Sequence, residues 1–224
     1  MNNKFLQKLH LLLFFLLSFA FANAQNAPFY SEIQQFKTQD SIHFPPKHAI
    51  LFLGSSSFRK WEDVQSYFPD YPIINRGFGG STIPDAIRYV DDIVFPYQPK
   101  QILIYEGDND LAASDKITPD SVLNRFEKLF TLIREKLPNT SIAFVAIKPS
   151  PSRQKLMPKM QQANSLVKDF LKNKKNTAFI DVYHKMLNKD GNPIQDIFLE
   201  DNLHMNAKGY DIWQKAIQPY LLKK

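Results

Sequence analysis

The sequence predicts a three-layer α/β domain built on a parallel sheet, and three observations predict it. Five apolar, strand-like runs alternate with helical patterns, the order expected of repeated strand–helix units. Several of these runs are apolar without alternation, as strands covered on both faces must be. The polar fragments able to carry chemistry lie at or near the carboxyl ends of the runs, apart from one pair that precedes the last helix. In open parallel sheets that edge is where ligands bind.

The elements follow in order. Lys4 and Lys8 precede an apolar run, Leu11 to Phe21, and then Ala22-Asn23-Ala24. A charged start, an apolar middle and a small-residue cleavage motif read as a secretory signal over residues 1–24. The run is shorter than the ~20 residues of a spanning helix. The mature chain is expected to begin at Gln25 and to be exported, to periplasm or medium, with no stable membrane insertion. An uncleaved anchor is the alternative. Residues 25–48 form a lead-in, with a short helix carrying Ile33 and Phe36 and a stop at Pro45-Pro46. Residues 49–224 form the domain. Its strands are expected at Ala49–Leu53, Ile73–Asn75, Gln101–Tyr105, Ser141–Ile147 and Thr177–Asp181.

The helices between them have recognisable starts. Pro84 opens one carrying Ile87, Val90 and Val94. Thr118-Pro119 is an N-cap with a first-turn proline; Val122, Phe126, Leu129, Phe130, Ile133 and Leu137 then repeat at helical spacing until Pro138 stops them. Pro158 opens a helix burying Ala163, Val167, Phe170 and Leu171. The last helix carries Tyr210, Trp213, Ile217 and Leu221. These stripes are core.

Composition excludes several classes. With 224 residues, 44% hydrophobic and 22% charged, the chain can bury a real core and is not disordered. Loss of Lys4 and Lys8 with the signal lowers the net charge from +6 to +4. The remaining lysines are scattered with no basic stripe, which argues against a nucleic-acid partner. There is no cysteine, so thiol catalysis, zinc–thiolate sites and disulfides are excluded.

Four fragments could carry chemistry. Leu51-Phe52-Leu53-Gly54-Ser55-Ser56-Ser57 runs a buried strand into a serine turn. Ser56 there is a nucleophile only if a base takes its proton, and Phe58 stands where the α/β-hydrolase elbow has its second glycine. His204 is the natural base. Asp201, three residues earlier, can accept from one ring nitrogen and leave the other free for the serine. His184 is the runner-up base, while His43 and His48 precede the first strand. Gly79-Gly80, in the run Asn75 to Ser81, has no side chain to block a backbone N–H from a reacting carbonyl. Asn109, in Gly107-Asp108-Asn109-Asp110, can add an amide donor, and the Ser56 N–H would be a third. The plainer readings are two turns, a polar loop, or a carboxylate metal cluster. Asp108 and Asp110 supply too few ligands for the last.

Taken in order, these residues resemble the SGNH hydrolases, or GDSL-like lipases and acylhydrolases, over residues 49 to 220. The resemblance maps the family's nucleophile to Ser56, its oxyanion glycine to Gly80, its asparagine to Asn109, and its acid and base to Asp201 and His204. It departs at Ser55, where the family usually has aspartate. It implies a flavodoxin-like α/β/α sandwich with a five-stranded parallel sheet. It also implies acyl transfer through a serine ester, with Ser56 N–H, Gly80 N–H and Asn109 holding the oxyanion and no cofactor or metal.

The function expected is an exported carboxylic ester hydrolase acting on a small-molecule or glycan ester, with an acetyl ester on a carbohydrate favoured by export. Alternatives within the family are lipase, lysophospholipase and thioesterase. Phe58, Trp61, Phe78 and Leu111 would line a groove for a greasy chain. The loop Lys148 to Arg153 would meet the substrate, with Phe78, Lys148, Ser150 and Arg153 as contacts. Outside the family stand a non-catalytic carbohydrate-binding envelope protein and a metal-dependent phosphoesterase built on Asp108, Asp110 and His204. Oligomeric state is open.

Overall fold

The computed structural model describes residues 27–223; the expected signal peptide, residues 1–24, lies outside them. Five parallel strands form one sheet: β1 Ile50–Gly54, β2 Ile73–Gly77, β3 Gln101–Tyr105, β4 Ser141–Val145 and β5 Thr177–Ile180. Their spatial order is β2-β1-β3-β4-β5, which reverses direction of winding beside β1, the flavodoxin-like arrangement. Every residue of β1 and β3 is buried, which is why their sequences show no alternation.

Register shows how the two faces are covered. Ile104 pairs with Phe144 and Leu103 with Ala143, so Phe144 and Tyr105 point to opposite faces. Phe144 packs on Phe126 at 4.9 Å between ring centroids, and Phe126 belongs to the helix Pro119–Lys136. Tyr105 packs on Trp213 at 4.8 Å, within the helix Ala207–Ile217. Each aromatic contact adds about 0.5–1.5 kcal/mol to the area it buries.

In chain order the helices are α1 Tyr30–Ile42, α2 Ser56–Arg59, α3 Val64–Tyr67, α4 Ile83–Arg88, α5 Val90–Ile93, α6 Asp108–Ala113, α7 Pro119–Lys136, α8 Met157–Lys172 and α9 Ala207–Ile217. The lead-in helix is α1; it buries Ile33 and lays Phe36 against the Arg76 guanidinium. The Thr118 hydroxyl caps α7 by accepting from Ser121 N–H. The helix expected from Pro84 through Val94 is instead two. It breaks at Tyr89, whose backbone leaves the helical region while its phenol donates to the Pro28 carbonyl at 2.6 Å. The last helix stops at Ile217, because Pro219 has no N–H to continue it; Leu221 lies beyond. Ile147 lies past the end of β4, its N–H bonded to the Asn164 side chain instead of a strand. Among the described residues no helix is long and apolar enough to cross a membrane.

Candidate active site

Ser56 is the first residue of α2, two residues beyond the end of β1. The Ser55 N–H continues the ladder to the Tyr105 carbonyl, and the Ser55 carbonyl accepts from Phe58 and Arg59 N–H to close the turn. The tightness of this turn requires glycine at two neighbours. A Cβ on Gly77 would collide with Arg59 N, and one on Gly54 with the Tyr105 carbonyl. From β2, Asn75 Nδ2 donates to the Phe58 carbonyl at 2.7 Å. From α9, the Tyr210 hydroxyl donates to the Ser57 carbonyl at 2.9 Å. The serine is therefore held from three elements.

The Asp201–His204 loop closes over it. Asp201 Oδ1 accepts from Leu203 N–H at 3.0 Å and His204 N–H at 2.9 Å, a local turn that aspartate favours. Asn202 takes φ 55° at its apex, a left-handed conformation that asparagine tolerates. Asp201 Oδ2 is 2.5 Å from His204 Nδ1, and His204 Nε2 is 3.0 Å from Ser56 Oγ. Burial pushes the Asp201 carboxyl up, but the His204 ring and the two backbone N–H groups outweigh it and hold it well below the usual carboxylate range. An ionised acid on Nδ1 fixes the tautomer that leaves Nε2 able to accept the serine proton.

Gly80 and Asn109 follow β2 and β3, the strands on either side of β1. A Cβ at Gly80 would sit 3.8 Å from Asn109 Nδ2, so the two face one space. Asn109 Nδ2 donates to the Ser81 carbonyl at 2.9 Å and its Oδ1 accepts from Arg153 Nη2 at 2.9 Å. Those partners fix the amide orientation and leave one Nδ2–H unused. Among the described residues neither the Ser56 nor the Gly80 N–H has an acceptor within the chain. Unpaired N–H donors of this kind are what a developing oxyanion requires. The adjoining Gly79 N–H donates to Glu32 of α1 at 2.9 Å, so the lead-in helix braces the glycine turn.

The expected substrate contacts fare differently. Phe78, Lys148 and Ser150 are fully buried and offer no surface to a substrate. Phe78 packs edge-on against Phe29 and Tyr89. Lys148 Nζ donates to the Leu203 carbonyl at 2.8 Å and lies 3.6 Å from Asp108 Oδ2. Burial pushes its ammonium down, opposed mainly by Asp108. Arg153 is spent on Asp108 Oδ1, at 2.5 Å, and on Asn109. Phe58, Trp61 and Leu111 are at most 1% exposed and line no groove.

The metal reading loses its ligands in the same way. Burial raises the Asp108 carboxyl, but Lys148 and Arg153 overcome this and keep it ionised and paired. Asp110 accepts from Arg125 at 2.6 Å and from Ile83 N–H. Among the described residues no group of three or more acidic or histidine side chains could hold a metal ion. His184 pairs with Asp181 at 2.7 Å, but among the described residues no serine hydroxyl is hydrogen-bonded to it. The pair lines a separate cavity of about 240 Å³ past the end of β5 that contains none of Ser56, Gly80, Asn109, Asp201 or His204.

The loop Pro151–Leu156, Glu32 and Tyr210 were not legible as site-bracing groups. Their partners lie tens of residues away or more, and no spacing rule links them.

The sequence model of the GDSL-like Lipase/Acylhydrolase family matches residues 40–212. No curated protein matches the chain significantly. Among solved structures, a candidate platelet activating factor from Streptococcus pneumonia superposes with TM-score 0.75 at 21% identity, covering 94% of this chain and 99% of that one. A GDSL-like lipase from Bacteroides thetaiotaomicron gives 0.70 at 18%, covering 84% and 96%. An acetylxylan esterase from Geobacillus stearothermophilus gives 0.59 at 15%, covering 78% and 94%. At these identities the likeness is one of fold.

Proposed function

This chain belongs to the GDSL-like lipase/acylhydrolase family and is a hydrolase of ester bonds, and we propose that it is an exported serine esterase that removes short acyl groups, acetyl above all, from a carbohydrate. The observation that carries the mechanism is the continuous chain Asp201–His204–Ser56, at 2.5 and 3.0 Å. Ser56 Oγ attacks the ester carbonyl while His204 Nε2 takes its proton. The oxyanion sits against Ser56 N–H, Gly80 N–H and Asn109 Nδ2–H. His204 then gives the proton to the leaving alkoxide, and water, deprotonated by His204, releases the acid from Ser56.

Support for a short acyl group comes from burial. The aromatic residues near Ser56 that a long chain would need are locked in the core, at most 1% exposed. The acetylxylan esterase among the structural neighbours supports a carbohydrate as the alcohol side. Export rests on residues 1–24. An intact-mass measurement on protein recovered from a secreting host is expected to begin at Gln25; an unprocessed chain would contradict it.

The test compares wild type with Ser56→Ala on p-nitrophenyl acetate, butyrate and octanoate and on acetylated xylan. Acetate is expected to be the best of the three chromogenic esters, xylan to release acetate, and Ser56→Ala to lower kcat by roughly 10⁴–10⁶-fold. Preference for octanoate would move the substrate to lipids. Equal rates in both proteins would remove Ser56 from the mechanism.

A further inference from the structure

Arg153 lies in the turn Pro151–Leu156, which follows β4, at φ −115° and ψ 25°, outside the helical geometry of its neighbours. Its side chain is only 17% exposed. One guanidinium nitrogen donates to Asp108 Oδ1 and the other to Asn109 Oδ1. A single planar fork therefore grips two consecutive side chains at the start of α6, which only arginine's fixed donor geometry allows. Asp108 is itself pinned from its other oxygen, by the Tyr105 hydroxyl at 3.2 Å and by Lys148 at 3.6 Å. The fork thus cannot swing away from Asn109 without leaving a buried carboxylate short of a partner. The turn carrying Arg153 is tied to the acid–base loop as well, since Ser152 N–H donates to the Asn202 carbonyl at 3.1 Å.

We infer that Arg153 is a positioning residue for ester hydrolysis: it holds and polarises the Asn109 amide that donates to the oxyanion. This rests on the serine-esterase reading above. Two physical effects act together. First, the amide cannot flip. Reversed, it would set its N–H₂ against the guanidinium and its oxygen against the Ser81 carbonyl. Second, a cation on the amide oxygen draws electron density along the C–N bond and strengthens the free N–H as a donor, the cooperative effect expected of a charge-assisted chain. Arg153, Lys148 and Asp108 together carry one net positive charge, placed behind the donor that faces the developing anion. The carboxylate of Asp108 holds the fork, and Asn109 transmits its effect.

A double-mutant cycle on p-nitrophenyl acetate tests this, with wild type, Asn109→Ala, Arg153→Met, the double variant and Arg153→Lys. Removing an oxyanion donor costs ~100 to 1000-fold in kcat, and Asn109→Ala is expected in that range. Arg153→Met is expected to lower kcat about tenfold, a fraction of that loss, with KM changed less than about twofold. In the Asn109→Ala background the same substitution is expected to change kcat less than about twofold, because the group it acts through is gone. Arg153→Lys keeps a cation for Asp108 and is expected to melt close to wild type yet still lose at least about threefold in kcat, since an ammonium cannot span both oxygens. Equal fold-losses from Arg153→Met in both backgrounds would overturn the inference, as would an effect confined to KM or an Arg153→Lys variant with full kcat. If Asn109→Ala alone leaves kcat unchanged, the failure lies in the oxyanion reading of Asn109, which is a distinguishable result.

Discussion

At the scale of single residues, local spacing carries the chemistry and tertiary pairing decides the rest. Asp201 and His204 were legible because three residues of separation let one carboxylate cap the loop and reach the ring. Lys148 and Arg153 were misread as substrate contacts. A lysine or arginine in a proline-rich loop usually faces water, but partners distant in sequence draw these two inward: Asp108 and the Leu203 carbonyl for Lys148, Asp108 and Asn109 for Arg153. Glu106 was not singled out at all. It is fully buried; one oxygen accepts from the Ser81 hydroxyl at 2.7 Å and the other has no partner among the described residues. Burial, partly offset by Ser81, pushes its carboxyl well above the ordinary 4.5. Below about pH 4.5 both folded and unfolded chains keep the proton. Above it the unfolded chain releases the proton and the folded one does not, so the native state loses stability by up to about 1.4 kcal/mol per pH unit until the folded pKa is passed. Glu106→Gln does not titrate. Thermal unfolding of both proteins between pH 4.5 and 8 is expected to show the melting temperature of the variant rising relative to wild type as pH increases. A pH-independent difference would mean that Glu106 does not stay protonated in the fold.

At the scale of elements, strands and long helices were legible and short breaks were not. The β3 boundaries coincide with the expected ones, and α7 runs between the cap and the proline that mark it. The expected second strand, Ile73–Asn75, extends two residues further, through Arg76 to Gly77. The reason is packing: α2 lies directly on Gly77 with no room for a side chain, a contact that pairs residues far apart in sequence. Gly77→Ala tests that account. The added methyl must push the α2 backbone away, and such overpacking costs about 1–3 kcal/mol. A displacement of about 1 Å at Ser56 would cost roughly 100-fold in kcat. The expected result is a lower melting temperature together with a large loss of p-nitrophenyl acetate hydrolysis. Unchanged activity would show that α2 does not depend on that close approach.

At the scale of the whole molecule, the alternation of strands and helices specified the layers, but the strand order came from packing. The order β2-β1-β3-β4-β5 puts β1 between β2 and β3, so Ser56, the Gly79–Gly80 turn and Asn109 leave three adjacent strand ends. Ser56 and Asn109, 53 residues apart in sequence, leave adjacent strand ends without a long loop. The Asp201–His204 loop then reaches the same place from the far end of the chain, held by Lys148 and Ser152. We propose that this convergence makes Ser56 a nucleophile. Its most direct test is reaction with a p-nitrophenyl phosphonate ester, followed by mass-spectrometric mapping of the adduct. One phosphonyl group on Ser56 is expected, forming roughly 10³-fold or more slowly in His204→Ala. Inactivation with the label on another residue, or full hydrolytic activity in protein that takes up no label, would contradict it.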